Sequence, residues 1–475
     1  MRAFDFDLIV LGGGSGGISS AILGHNLGKR VALVEKNRIG GECTWSGCIP
    51  SKALIKAAEI AHGIHRVEDF GLKLKRTPEL DCRDVMSHVR AIREQVYEEE
   101  KPEVFEKMGI KVLIGDAKFI DNHTLLIGEK EMTSKGFLIS TGSSPFLPPI
   151  EGIENVDYLT NENIFELEGL PESMIIIGGG PIGSEMASAL NRLGVDIKIV
   201  EKTAHILSRE EDELAFQLMD HMMDEGVKVI CHSRAVKVSK ASGGVRLFTE
   251  SEKHGNQEHE AERLLVAVGR RPNVDGLDLE KAGVTFTTRG IRVDQTMRTT
   301  AKNIYAIGDV VGSYLFSHMA EYWATVAVPN AVLPIPIKKK VNHEHIPWST
   351  FTDPELARSG LTEKEAHEKY GNAIRVYRYP YSKVDRAKTD LAVEGLVKII
   401  VTRNGKILGI HVLGNHAADL MHEVLLAKTL GKTFDKIQKM IHAYPTYGDV
   451  VKRPAGQFYG DKLRDNIFVK MISNN

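Results

Sequence analysis

The chain has 475 residues, 42% of them hydrophobic, and a formal net charge of −2. That length provides for roughly two to four domains with substantial cores, and the near-neutral balance excludes nucleic acid as an obligate partner, because no basic excess exists to displace phosphate counterions. Four cysteines in a chain of this size point to a reducing compartment, and Asp5 and Asp7 stand where a secretory signal would need an apolar core, so the expected location is the cytoplasm.

The opening stretch FDLIVLGGGSGGISSAILGHNLGKRVALVEK begins as a buried strand, Leu8 to Leu11, runs through glycines into an apolar helix, and returns as a second strand, Val31 to Val34, closed by Glu35. Strand, Gly12-x-Gly14-x-x-Gly17, helix, strand and acid form a dinucleotide-binding fingerprint with its context intact. In this pattern Gly12 permits the tight turn, Gly14 lets a pyrophosphate approach the backbone, and Gly17 lets the helix pack against the strand. The helix N-terminus offers free N–H groups to the phosphates, and Glu35 is placed to accept hydrogen bonds from ribose hydroxyls.

Directly after it, GGECTWSGCIPSKALI holds Cys43 and Cys48, with Lys52 one turn further on. A structural zinc site needs four ligands, and Cys82 and Cys231 are isolated. A fixed structural disulfide is disfavoured in a reducing compartment, and an inert buried pair leaves the spacing without a use. A redox pair is the expectation. A regular helix holds α-carbons five residues apart at about 8.6 Å, too far for a disulfide, and Gly40, Gly41 and Gly47 supply the backbone freedom to close that gap. Pro50 suits the first turn of a helix, so Cys48 is expected at a helix N-terminus whose dipole favours a thiolate.

GFLISTGSSP, with Thr141 and Gly142 at its turn, runs from a buried strand into a glycine turn that closes a nucleotide-binding layer. The fingerprint then repeats in MIIIGGGPIGSEMASALNRLGVDIKIVEK, with Gly178, Gly180 and Gly183 as the glycines and Glu201 as the terminal acid. Two fingerprints mean two dinucleotides. Hydride chemistry needs a donor and an acceptor, so one is read as a flavin, FAD, and the other as a nicotinamide. A carboxylate at Glu201 bonds a free 2′-hydroxyl and repels a 2′-phosphate, which favours NAD(H) over NADP(H), although Lys202 or Arg209 could accommodate a phosphate. RLLVAVGRRPN makes another strand-to-glycine turn, at Gly269, and NIYAIGDVVG leaves Asp309 at a strand's C-terminal end, where ligands of such sheets collect. Ser313 to Ile337 is apolar but contains His318, Glu321 and Pro329, so a packed helix is expected there and not a membrane span. From about His345 the pattern changes to strands, a hairpin around Asn404 and Gly405, and helices from about Ala417 to His442.

The motifs GGECTWSGCIPSKAL, GGGPIGSE and AIGD resemble those of the group I flavoprotein disulfide reductases, the family of dihydrolipoamide dehydrogenase, glutathione reductase and mercuric reductase. The resemblance covers nearly the full length. It implies an α/β fold with two Rossmann-like dinucleotide-binding domains and a C-terminal α+β dimerisation domain. The expected division is 1–150 and 271–344 for FAD, 151–270 for NAD(P), and 345–475 for dimerisation. By the same resemblance Gly12, Gly14, Gly17, Glu35 and Asp309 hold FAD, while Gly178, Gly180, Gly183 and Glu201 hold the nicotinamide cofactor. Cys48 becomes the thiolate beside the flavin, Cys43 the interchange thiol, and Lys52 with Glu185 the pair near the flavin's reacting nitrogen. The implied assembly is a homodimer whose active site is shared between subunits.

The chain departs from that pattern at one functional position. The family's dithiol oxidases carry a histidine before Pro-Thr, oriented by a glutamate; here the stretch reads HAYPTYGDVVK, with Tyr444 in the histidine's place and Asp449 in the glutamate's. A phenol with a pKa near 10 donates well to a thiolate but is a poor acceptor of a thiol proton, so dihydrolipoamide oxidation is expected to be impaired. His442 can substitute only if the local backbone differs from the family's; otherwise it is an interface residue. Mercuric reductases share the tyrosine, and SHMAEYWATVAVPNA with KVDRAKTD resembles them, but they end in a vicinal cysteine pair where this sequence reads VKMISNN. Three readings stay open: a dihydrolipoamide dehydrogenase-like enzyme with altered acid–base chemistry, a mercuric-reductase-like enzyme for a soft metal ion or another small oxidant, and a flavoprotein component of a multienzyme complex.

Overall fold

The computed structural model describes residues 4–76, 78 and 80–465, so the terminal VKMISNN stretch lies outside the described residues. Strand Phe6–Leu11 forms the middle of the first sheet because it is apolar on both faces. Leu8 and Val10 pack into a core with Trp323 on one side, while Ile9 and Leu11 face Phe137 and Leu279 on the other, the alternation of a strand buried between two layers. It pairs in parallel with Val31–Glu35 and with Lys130–Ile139. Lys111–Ile114 extends one edge. On the far side Ile304–Ala306 pairs with Lys130–Ile139, so a strand from late in the chain completes a sheet begun at the N-terminus.

Between those halves lies a second parallel sheet in the order Lys228–Ile230, Asp196–Val200, Ser173–Ile177, Arg263–Val266, Tyr158–Leu159. The two fingerprints are built alike: Gly12 N donates to Val34 O at 2.8 Å and Gly178 N to Val200 O at 2.9 Å. A five-stranded antiparallel sheet follows from Pro347 onward. Its Leu396–Thr402 and Ile407–Gly414 strands form the hairpin expected around Asn404 and Gly405. Helices Ala417–Thr429 and Asp449–Arg464 contribute Met421, Val424, Val451 and Phe458 to the core of this last unit.

One buried charge ties the units together. Lys398 Nζ, on the antiparallel sheet, lies 2.5 Å from Glu211, 2.9 Å from Glu213 and 2.6 Å from Glu363. Those three carboxylates are the one group with metal-ligand spacing among the described residues, and the ammonium of Lys398 sits among them. The apolar stretch at 313–337 contains the packed helix Ser317–Val332, and among the described residues no helix is long and apolar enough to cross a membrane.

Candidate active site

A cavity of about 2070 Å³ runs between the two fingerprints, well beyond the roughly 300–1,000 Å³ of a pocket for one small ligand. Gly12, Gly14, Glu35, Thr141, Gly142 and Asp309 line one part, Gly178, Gly180, Glu201 and Gly269 another, and Cys43, Cys48, Lys52 and Glu185 also line it. Gly17 and Gly183 lie beneath the turns. A β-carbon on Gly17 would stand 1.7 Å from Gly12 O, and one on Gly183 2.0 Å from Gly178 O.

The residues fit two dinucleotides. Gly180, at the start of helix Pro181–Arg192, has open space where a β-carbon would point, and Gly14 has only Gly41 near it, at 3.7 Å. Each opening is what a phosphate needs to reach helix N–H groups. Glu35 accepts from Gly13 N at 2.7 Å and Asn37 N at 2.8 Å. Glu201 accepts from Gly179 N at 2.7 Å and from both the N and Oγ of Thr203 at 2.9 Å. Both acids thus pin their own turns, and a carboxylate's remaining lone pairs stay open to a ribose.

The cysteine segment is broken where the sequence offers glycine. Gly41–Trp45 forms one short helical turn, and the 18-residue helix Cys48–His65 starts at Cys48 itself. A β-carbon on Gly47 would press on Glu42 O at 2.9 Å, so Gly47 is what lets the chain fold back on Cys43. Gly41 has a different task from the one expected: a β-carbon there would meet Gly14 Cα at 2.6 Å, so it seats the segment on the first phosphate turn. Both thiols are free. The Cys43 thiol donates toward Cys48, and with help from Lys52 and the Ser317 hydroxyl this lowers the Cys48 thiol to about 6 against the cost of burial. Sharing its proton with Cys48, together with burial, pushes Cys43 well up. One sulfur is therefore a thiolate at neutral pH and the other a thiol.

Lys52 Nζ lies 2.8 Å from Glu185 Oε2 and 4.5 Å from the centre of the Phe351 ring. The second oxygen of Glu185 accepts from Phe351 N at 2.9 Å. Sequence reasoning missed the next layer. Glu42 pairs with Arg270 and accepts from Asn161 Nδ2 at 2.7 Å. Arg270 Nε donates to Ser143 Oγ at 2.8 Å, and Ser143 donates to Asp309 Oδ2 at 2.6 Å. Burial pushes the Glu42 carboxyl up to about 7 despite the Arg270 guanidinium beside it, and burial raises Asp309 as well. The available signal was a charged residue in each of two glycine-rich turns; the pairing across 228 positions carried none.

Tyr444, His442 and Asp449 do not line this cavity. Tyr444 is 69% exposed on the single chain, and its hydroxyl donates to Asp385 Oδ2 at 3.1 Å, which raises the phenol. Asp449 opens helix Asp449–Arg464 and pairs with Arg453 at 3.4 Å. Both nitrogens of His442 are engaged, Nε2 with Glu423 Oε1 at 2.9 Å and Nδ1 with Met440 O at 3.1 Å.

Residues 6–328 match the pyridine nucleotide-disulphide oxidoreductase family, and residues 346–455 match its dimerisation domain. A dihydrolipoyl dehydrogenase of Thermus scotoductus is 36% identical over 94% of this chain and 95% of its own. A mercuric reductase of Streptomyces lividans is 34% identical over 96% and 97%. Among solved structures, the HOCl-induced flavoprotein disulfide reductase RclA from Escherichia coli superposes with a TM-score of 0.84 at 26% identity, covering 95% of this chain and 99% of that one. A Cu(II) complex of RclA gives 0.82 at 26% identity, over 96% and 100%.

Proposed function

The chain belongs to the pyridine nucleotide-disulphide oxidoreductase family, and from that premise we propose that it reduces a small oxidant with electrons from NAD(P)H through FAD and the Cys43–Cys48 pair. The observation that carries this reading is one thiolate and one thiol side by side in a cavity flanked by two dinucleotide cradles. In the assignment that follows, residues 1–150 and 271–344 hold FAD, 151–270 hold the nicotinamide cofactor, and 345–475 form the dimer. When bound, the flavin and nicotinamide supply the hydride chemistry. The chain's own residues do the rest. Lys52 and Glu185 fix charge near Cys48, Cys48 holds a negative sulfur, and Cys43 keeps the proton that it delivers as it attacks an acceptor. Reduction of a disulfide acceptor then closes the Cys43–Cys48 bond and releases two thiols, so two electrons and two protons balance.

NAD(H) is favoured over NADP(H) because the Glu201 carboxylate repels a 2′-phosphate. A homodimer with a shared active site suits Tyr444, which projects from its own subunit and does not reach that subunit's cavity. The reduced thiol pair suits the cytoplasm.

Within this reading the acceptor is a soft metal ion or other small oxidant ahead of lipoamide. Dithiol oxidation needs a base, whereas the phenol of Tyr444 is held protonated and His442 has both nitrogens engaged. Thiolate ligands need no proton removed from a metal substrate, and Cu(II) and Hg(II) are the ions that the names of the relatives bring forward. The test is an acceptor screen with NADH and NADPH against Cu²⁺, Hg²⁺, quinones, small disulfides and lipoamide. Turnover with the metals or quinones above that with lipoamide supports the reading. Fast lipoamide turnover in both directions replaces it with the dihydrolipoamide dehydrogenase-like alternative, and no turnover with any acceptor favours a role inside a multienzyme complex.

A further inference from the structure

Cys48 and Ser317 are 269 positions apart, yet Ser317 Oγ lies 3.7 Å from Cys48 Sγ, within hydrogen-bond range for sulfur. Each is the first residue of a long helix, Cys48–His65 and Ser317–Val332, so two helix N-termini, each carrying partial positive charge, meet at one sulfur. We propose that Ser317 is the donor that holds the Cys48 thiolate throughout turnover, a role that deepens and rests on the reading of Cys48 given above.

The argument turns on what each neighbour does as the sulfurs react. Cys48 is faced by the Cys43 thiol from the preceding turn, by Lys52 from its own helix and by Glu185 from the Pro181–Arg192 helix, and it bears in turn on Glu42. Glu185 and Glu42 are acids that disfavour a second negative charge. Cys43 donates to Cys48 only while it keeps its proton. Once Cys43 is bonded to an acceptor that donor is gone, at the stage when Cys48 must remain anionic to attack the mixed disulfide and close the pair. Lys52 persists, but its ammonium is shared with Glu185 at 2.8 Å. The Ser317 hydroxyl is neutral, does not titrate in the working range, and is unchanged by the redox state of Cys43.

The test isolates that stage. In the holoprotein carrying Cys43→Ala, the pH dependence of iodoacetamide alkylation, read by mass on the Cys48 peptide, gives the midpoint of thiolate formation without recourse to turnover. Adding Ser317→Ala is expected to raise the midpoint by about one pH unit, a tenfold loss of thiolate below it, as fits a hydrogen bond to a charged group. Ser317→Thr, which keeps the hydroxyl, restores it. An unmoved midpoint in Ser317→Ala overturns the proposal while leaving the thiolate reading intact. An ordinary thiol midpoint in the parent that retains Ser317 overturns the thiolate reading and the proposal together. Equal shifts in the alanine and threonine variants would mean that packing, and not the hydroxyl, is responsible.

Discussion

Lys52 and Glu185 are 133 positions apart and meet at 2.8 Å, which fastens the helix that begins at Cys48 to the helix that begins at the second glycine turn. Glu185 is the more buried partner, with 8% of its side chain exposed against 37% for Lys52. The pair is therefore asymmetric: removing the lysine leaves a carboxylate with little water to replace it.

Lys52→Met is accordingly expected to cost more than Glu185→Gln, which keeps the shape and an acceptor for Phe351 N. A lost preorganised charge at a reacting centre typically costs about 10²–10³-fold, and NADH turnover in Lys52→Met should fall by that order. Rapid-mixing measurements of the reductive half-reaction separate this from a defect in acceptor reduction. Equal losses in the two variants would show that the ion pair, and not the lysine's charge near Cys48, is what matters.

The thiols have distinct roles and their variants should differ in kind. The purified protein should be yellow, with a long-wavelength charge-transfer band after two-electron reduction. Cys48→Ser should abolish the band. Cys43→Ser should show it without any reductant, because Cys48 is then unpaired, and should stop turnover through the disulfide. In that variant the band should fade as pH falls through the thiol's midpoint, which loss of the Cys43 hydrogen bond places somewhat above the native value of about 6. A band that survives in Cys48→Ser would exchange the two assignments.

Cofactor choice can be read at Glu201. Its carboxylate also anchors Gly179 N and Thr203, so Glu201→Ala should lower thermal stability as well as weaken NADH more than NADPH. Glu201→Gln keeps one acceptor for the turn and removes the charge, which isolates the phosphate repulsion. Michaelis constants for the two cofactors in both variants decide it, and parallel losses would place the ribose elsewhere.

The local pieces were legible in the sequence because each is written in a contiguous stretch. The two glycine fingerprints, the break at Gly47 and the start of a helix at Cys48 all follow from residue type and spacing. The Glu42–Arg270–Ser143–Asp309 chain was not, since a carboxylate beside a cysteine looks like any solvated acid until the fold brings Arg270 to it. Ser317 was hidden for the same reason: it sits in an apolar stretch read only as a helix. Gly41 shows a subtler limit. The glycine was read as freeing the cysteines, while its function depends on the backbone of Gly14, which belongs to another motif.

Lys398 tests what joins the nucleotide-binding part to the C-terminal sheet. With 2% of its side chain exposed and three carboxylates around it, Lys398→Met strands their charge in a poorly hydrated site. Breaking a buried pair by removing one partner costs about 3–5 kcal/mol, so denaturant midpoints should fall sharply. Adding Glu211→Gln and Glu363→Gln should recover part of the loss. No recovery would mean that the methionine fails by packing, and not because of the carboxylates.

Tyr444 carries the strongest prediction about chemistry. Its phenol is already occupied with Asp385 and held protonated, while Asp449 is turned to Arg453, so neither residue stands ready to take a proton from a dithiol. Tyr444→His with Asp449→Glu introduces a base of suitable pKa and lengthens the acid by one methylene. General acid–base assistance is worth roughly 10²–10⁴-fold, so dihydrolipoamide oxidation should rise well above assay error even if the new pair is imperfectly aligned. The same double variant should lose activity with a metal or quinone acceptor if the phenol's donated hydrogen bond steadies that complex. His442 supplies the control: Glu423→Gln weakens one of its two hydrogen bonds, and if that change alone raises dihydrolipoamide oxidation, the proton path runs through His442. A wild-type protein that already oxidises dihydrolipoamide at a rate the double variant cannot improve would remove Tyr444 from the explanation altogether.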